Sequence, residues 1–146
     1  MKLVDTNVLL YAADRRSLHH QSARSWLERT LASGDPLLLP WVCIVGFIRI
    51  STLPSFFPQP LSVSDAMRFV RPLVNASSVI VPEPDARHLD RIQMLLISLG
   101  RAGNLVTDAH LAALALQYDS SVVSYDHDFA LFPDVRWERP PPVPAD

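Results

Sequence analysis

The sequence holds one cysteine, Cys43, and one lysine, Lys2. A single cysteine excludes an intrachain disulfide, and its place in an apolar run suits a small core residue. The scarcity of lysine leaves arginine as nearly all of the basic set. Arginine suits bidentate phosphate contacts, although genome composition gives the same bias. No apolar stretch reaches membrane-spanning length. The first residues do not form a signal peptide, because Asp5 and Asp14 break the short apolar run and no separate h-region follows. The net charge is only −2, so no global basic surface exists, and any nucleic-acid contact has to come from a local patch. These absences fit a cytoplasmic protein that does not engage a membrane.

What is present suits one globular domain. The chain has 146 residues, of which 49% are hydrophobic, enough for a real core. Lys2 to Asp5 reads as a short buried strand ending in Asp, and Asn7 to Ala13 as a helical turn. From His19 to Ser33, Ala23, Trp26, Leu27 and Leu31 recur at helical spacing, and Gly34 is a stop. Trp41 to Thr52 is apolar on nearly all sides, which predicts a buried helix with Trp41 in the core and Arg49 as its one charge. Pro54 to Pro60 is a loop, and Ser62 to Asp65 fits a capping box ahead of a helix with Val63, Met67, Val70 and Val74 on one face. Ser78 to Val81 reads as a strand. Asp85 to Leu99 is amphipathic, with Leu89, Ile92, Leu96 and Leu99 on one side. Leu105 to Tyr118 is a nearly all-apolar helix, Ser121 to Ser124 a strand, and Val135 to Trp137 a last strand. Strands alternating with helices predict an α/β fold: a three-layer α/β/α sandwich around a mainly parallel sheet. Residues 1–138 form that domain, and 139–146 a disordered Pro-rich tail.

Three stretches place Asp where such a sheet would gather it. Asp5 ends the first strand, Asp108 opens a buried helix, and Asp126 and Asp128 follow the Ser121 to Ser124 strand. Each has an ordinary explanation alone: a turn residue, a first-turn Asp favoured by the helix dipole, or an Asx-turn or cap. Together they lie beyond the C-terminal ends of the strands, where open α/β sheets bind ligands. Gathered carboxylates repel one another unless they hold a hard cation. An all-carboxylate set suits Mg2+ or Mn2+ rather than Zn2+. His19, His20 and His110 lack a close ligand grouping and read as solvated helix-face residues.

The chain resembles PIN-domain ribonucleases of the VapC toxin type. The matching stretches are Val4-Asp5-Thr6-Asn7-Val8-Leu9-Leu10, Asn104 through Asp108 to Ala113, and Val123-Ser124-Tyr125-Asp126-His127-Asp128-Phe129. Leu39 to Val42 and Gly46 to Arg49 also fit, particularly a branch common in mycobacteria and related actinobacteria. The similarity runs from Lys2 to about Trp137. It implies a Mg2+- or Mn2+-dependent endoribonuclease that is toxic until bound by a small VapB-like antitoxin, and it implies homodimers. By that resemblance Asp5 and Asp108 match the two best-defined metal-binding acids. Asp126 or Asp128 matches the late acid, with Asp126 taken as the third ligand. Asn7 matches a supporting polar residue, with Thr107 and Ser124 as further supports. The departure is Gly46, which stands where most members carry Glu three residues before the Arg matching Arg49. Gly46 means either more water on the metal, weaker activity, or close helix packing. Arg49 then touches substrate phosphate or pairs with an acid.

Two rivals remain at this level. One is a catalytically weak PIN module acting mainly by RNA or antitoxin binding. The other is a phosphotransfer-type α/β domain, which needs a central Asp and a nearby lysine. Phe56 and Phe57 lie in the Pro-rich loop, either buried beneath it or forming a partner surface.

Overall fold

A computed structural model describes residues 1–144. Five strands form one sheet: β1 (Lys2–Val4), β2 (Leu37–Leu38), β3 (Val79–Ile80), β4 (Ser121–Val123) and β5 (Trp137–Glu138). Their spatial order is β3-β2-β1-β4-β5, and every neighbouring pair is parallel. Parallel neighbours need crossovers, and helices supply most of them. Helices α1 (Thr6–Ala13) and α2 (His20–Ser33) join β1 to β2. Helices α3 (Trp41–Ser51) and α4 (Val63–Val74) lead to β3, and α5 (His88–Leu99) and α6 (Val106–Gln117) to β4. A 3-10 turn, His127–Leu131, bridges β4 and β5.

Successive strand residues point to opposite faces, and the core divides accordingly. Val4, Leu37 and Val123 pack with the apolar sides of α1 to α4. Leu3, Leu38 and Val122 pack with α5, α6, Phe129 and Phe132. The sheet is thus covered on both faces, the expected three-layer arrangement. The chain winds outward from β1 to β3, then crosses back to β4 beside β1. That reversal leaves a crevice at the C-terminal ends of β1 and β4, the usual ligand position in such sheets.

Local signals fixed several element ends. Ser62 accepts a hydrogen bond from the Asp65 amide at the start of α4, as a capping residue does. Gly34 closes α2 at φ 75°, which a β-carbon would resist. Other expectations need correction. Trp41 is 55% exposed and is not core, whereas Cys43 and Ile44 in the same turn are buried. Val63 and Leu89 also face outward. Leu95, not Leu89, occupies the centre of the buried stripe of α5, with Ile92, Leu96 and Leu99 packed around it. The last strand lies later than expected, at Trp137–Glu138, because those residues pair with Val122 and Val123. Phe57 is buried under the Pro-rich loop and Phe56 is exposed. Of the tail, Pro140 is buried, and Ala145 and Asp146 lie outside the described residues.

Candidate metal centre

Asp5 follows β1 directly and serves as the N-cap of α1. Its Oδ1 accepts from the Thr6 amide at 2.7 Å. Its Oδ2 accepts from Ser124 Oγ at 2.7 Å and Asn7 Nδ2 at 3.2 Å. A carboxylate has about four lone-pair sites, so one is left open. Ser124, buried at the end of β4, is the hub of this network. Besides donating to Asp5, its hydroxyl accepts from Asn7 Nδ2 at 2.9 Å and from the Asp126 amide at 3.0 Å. That uses its one hydrogen and both lone pairs. Asn7 Oδ1 accepts from the Tyr125 amide at 3.1 Å. Asn7 and Ser124 therefore tie the end of β1 to the end of β4 and hold Asp5 in a single orientation.

Asp126 is the N-cap of the 3-10 turn and accepts from the Asp128 amide at 2.9 Å. Asp108 comes from the opposite side, in the first turn of α6. One carboxylate oxygen from each of Asp108, Asp126 and Asp128 lies within 4.8 Å of the others. Asp5 is not one of these three, but its charge is felt by Asp108. Burial, then the charges of Asp126, Asp5 and Asp128, push the Asp108 carboxyl up to about 7. Burial likewise raises Asp5, against the lowering effect of its bonds to Ser124 and Thr6. Among the described residues, no lysine or arginine forms an ion pair with these acids. The only lysine pairs with Glu138 at 2.6 Å, which removes the lysine a phosphotransfer-type site would use. Three carboxylate oxygens grouped this closely, with no ion pair to a basic side chain among the described residues, form a donor set that fits a divalent metal.

The remaining expected residues are distributed as follows. Thr107 is exposed beside Asp108, and none of the side-chain hydrogen bonds of the described residues joins it to an acid. Arg49 is exposed in the last turn of α3, and no ion pair among the described residues includes it. Gly46 faces Thr6: a β-carbon there would stand 3.1 Å from Thr6 Oγ1 and 3.3 Å from Cγ2. The absent side chain thus lets α3 approach the first turn of α1, one residue from Asp5. The histidines are not freely solvated. His19 stacks on Tyr125, His20 Nδ1 bonds the Tyr11 carbonyl oxygen, and His110 pairs with His88 at 2.7 Å. These are contacts across elements that helix periodicity does not reveal. Sequence reasoning also missed Trp137, whose indole N–H donates to the Ser124 carbonyl oxygen at 3.0 Å.

A five-stranded parallel sheet with carboxylates at its switch point is the PIN architecture, and the PIN domain family model matches residues 2–135. The chain belongs to the PIN-domain family. Within it, the chain groups with the VapC ribonucleases. It is 43% identical to Ribonuclease VapC37 of Mycobacterium tuberculosis, over 97% of this chain and 98% of that protein. It is 39% identical to Ribonuclease VapC25 of the same organism, over 97% and 99%. Among solved structures, VapBC2 from Rickettsia felis bound to a promoter DNA fragment superposes with a TM-score of 0.70 at 15% identity, covering 94% of this chain and 97% of that one. No helix among the described residues is long and apolar enough to cross a membrane.

Proposed function

We propose that this chain is the toxin of a type II toxin–antitoxin pair, an endoribonuclease that hydrolyses RNA phosphodiester bonds at the Asp108–Asp126–Asp128 cluster. The convergence of three carboxylate oxygens within 4.8 Å, beside buried Asp5, carries the reading. Asp108 and Asp126 would hold a Mg2+ or Mn2+ ion, with Asp128 completing the cluster. Asp5 adds its buried charge and its one open lone pair. When bound, the cation supplies Lewis-acid polarisation of a phosphate and a more acidic water. The protein's own part is positional. Asn7 and Ser124 fix Asp5, and Ser124 also fixes the backbone of Asp126, so the acids need little reorganisation during reaction. Attack by water leaves a 5′-phosphate and a 3′-hydroxyl. The partners are an RNA substrate, a VapB-like antitoxin and a second copy of the chain. Solved relatives that are VapBC assemblies support the antitoxin. The nuclease unit spans residues 1–138, and the compartment is the cytoplasm.

The test is cleavage of total cellular RNA by purified protein with Mg2+, Mn2+ or EDTA, followed by mapping of the ends. Metal-dependent cuts with 5′-phosphates are expected. Cuts that persist in EDTA, or cyclic 3′-ends, would overturn the reading.

A further inference from the structure

Arg139 follows β5 directly, so it lies at the same edge of the parallel sheet as Asp5 and Asp126. It is exposed, and no ion pair among the described residues includes it. Its guanidinium nevertheless has a defined place. It lies 5.3 Å from the centroid of the Tyr125 ring and donates toward His127 Nε2 at 3.5 Å. Tyr125 and His127 are the two chain neighbours of Asp126, so Arg139 is held by both flanks of a cluster acid.

The supports are themselves braced. The Tyr125 ring stacks on His19 at 4.5 Å, and its hydroxyl shares a hydrogen bond with Ser22. The His127 ring meets Trp137 edge-on at 5.3 Å. A guanidinium carries five N–H donors in a planar fork, and among the described residues its one acceptor is a long contact. The fork is therefore oriented, charged and almost wholly unused. Isolated surface arginines sample many rotamers, whereas an arginine over an aromatic face loses less freedom on binding an anion. Because the protein is net negative, a polyanion approaching the carboxylate cluster needs local cations beside it.

We propose that Arg139 is a phosphate-contacting residue for single-stranded RNA, gripping a backbone phosphate next to the one at the acidic cluster, with Tyr125 and His127 as positioning residues. This rests on the ribonuclease reading above and adds to it the site of substrate-strand recognition. With both rings already engaged by protein partners, base stacking is not their role. The contact reads backbone charge rather than sequence.

The test compares Arg139→Gln, Arg139→Lys and a control, Arg71→Gln. Arg71 is exposed in the last turn of α4, which leads into β3 and so lies at the opposite sheet edge. Both glutamine variants change net charge equally. Binding of a short fluorescein-labelled single-stranded RNA is followed by anisotropy in EDTA over a salt series, and cleavage kinetics are measured with Mg2+. Arg139→Gln should weaken binding about fivefold and flatten the salt slope by about 0.7, as loss of one single-strand phosphate contact does. KM should rise while kcat stays within about twofold, since the contact is uniform in ground and transition states. Arg139→Lys should restore the salt slope but only part of the affinity, because it keeps charge and loses the fork. Equal binding by Arg139→Gln and Arg71→Gln would overturn the proposal. So would a lowered melting temperature of Arg139→Gln with an unchanged salt slope, which would make the arginine a structural tie for the tail. Absence of Mg2+-dependent cleavage by the unmodified protein would defeat the nuclease reading separately, because the anisotropy series decides Arg139 without any cleavage.

Discussion

Replacing Asp108 with Asn should make the metal-free protein more stable while abolishing its activity. The structure sets the size of the effect. Burial and three neighbouring carboxylates raise Asp108 from an ordinary 3.8 to about 7. Below pH 3.8 the group is protonated in both folded and unfolded chains and costs nothing. Between 3.8 and about 7 the unfolded chain gives up its proton first, so stability falls as pH rises. Above about 7 the penalty is complete. The gap corresponds to an upper bound of about 4 kcal/mol. Asp108 is only half-buried, so solvent screening brings this to about 1–2 kcal/mol. Loss of a carboxylate in the first turn of α6 removes about 0.5 kcal/mol of favourable helix-dipole interaction, which does not reverse the sign. Thermal melts in EDTA at pH 8 should therefore show Asp108→Asn higher by about 2–6 °C, and the difference should vanish near pH 4. Adding Mg2+ should raise the melting temperature of the unmodified protein and not that of the variant, because only a ligand bound by the folded state stabilises it. A variant equally or less stable at pH 8, or a gain independent of pH, would refute the repulsion argument.

Three further outcomes follow from particular contacts. Ser124→Ala should cost about 2–3 kcal/mol, read as a lower urea midpoint, because the Asn7 amide and the Asp126 N–H lose their shared acceptor; a loss under about 0.5 kcal/mol would mean that water replaces the hydroxyl freely. Gly46→Ala should destabilise by about 1 kcal/mol through crowding of Thr6, and the loss should shrink in a Thr6→Ala background; additive double-mutant melts would count against the contact. Phe56→Ser should weaken antitoxin affinity or dimerisation while leaving the melting temperature unchanged, as an exposed side chain requires; unchanged affinity and unchanged dimerisation in calorimetry and sedimentation would remove the loop from the partner surface.

The acids were legible because their positions follow from short-range rules. A strand that ends in Asp, or a helix that begins with one, puts the carboxylate at a known edge of a parallel sheet. Alternating strands and helices settle that edge without distances. The same rules could not choose between Asp126 and Asp128; the 3-10 turn capped by Asp126 brings both toward Asp108. Nor could they predict that Ser124 would be the hub, since its partners Asp5 and Asn7 lie more than a hundred positions away in sequence. Apolar residues were less legible. Trp41 and Leu89 read as core by composition and spacing, yet they face outward. Periodicity shows that a helix has an apolar side, but how wide that side is depends on what packs against it. Gly46 marks the clearest boundary of sequence reasoning. As a letter it reads either as a missing ligand or as room for close helix packing, and only the structure shows Thr6 against the space its side chain would fill.

If the clustered carboxylates hold the metal that cleaves RNA, removing one acid has to abolish cleavage without unfolding the protein. Asp5→Asn and Asp108→Asn proteins, shown to be folded by circular dichroism and cooperative melting, are incubated with total cellular RNA and Mg2+ beside the unmodified protein. Discrete cuts with 5′-phosphate ends are expected from the unmodified protein and none from either variant. Full cleavage by either folded variant would contradict metal-dependent cleavage at this cluster.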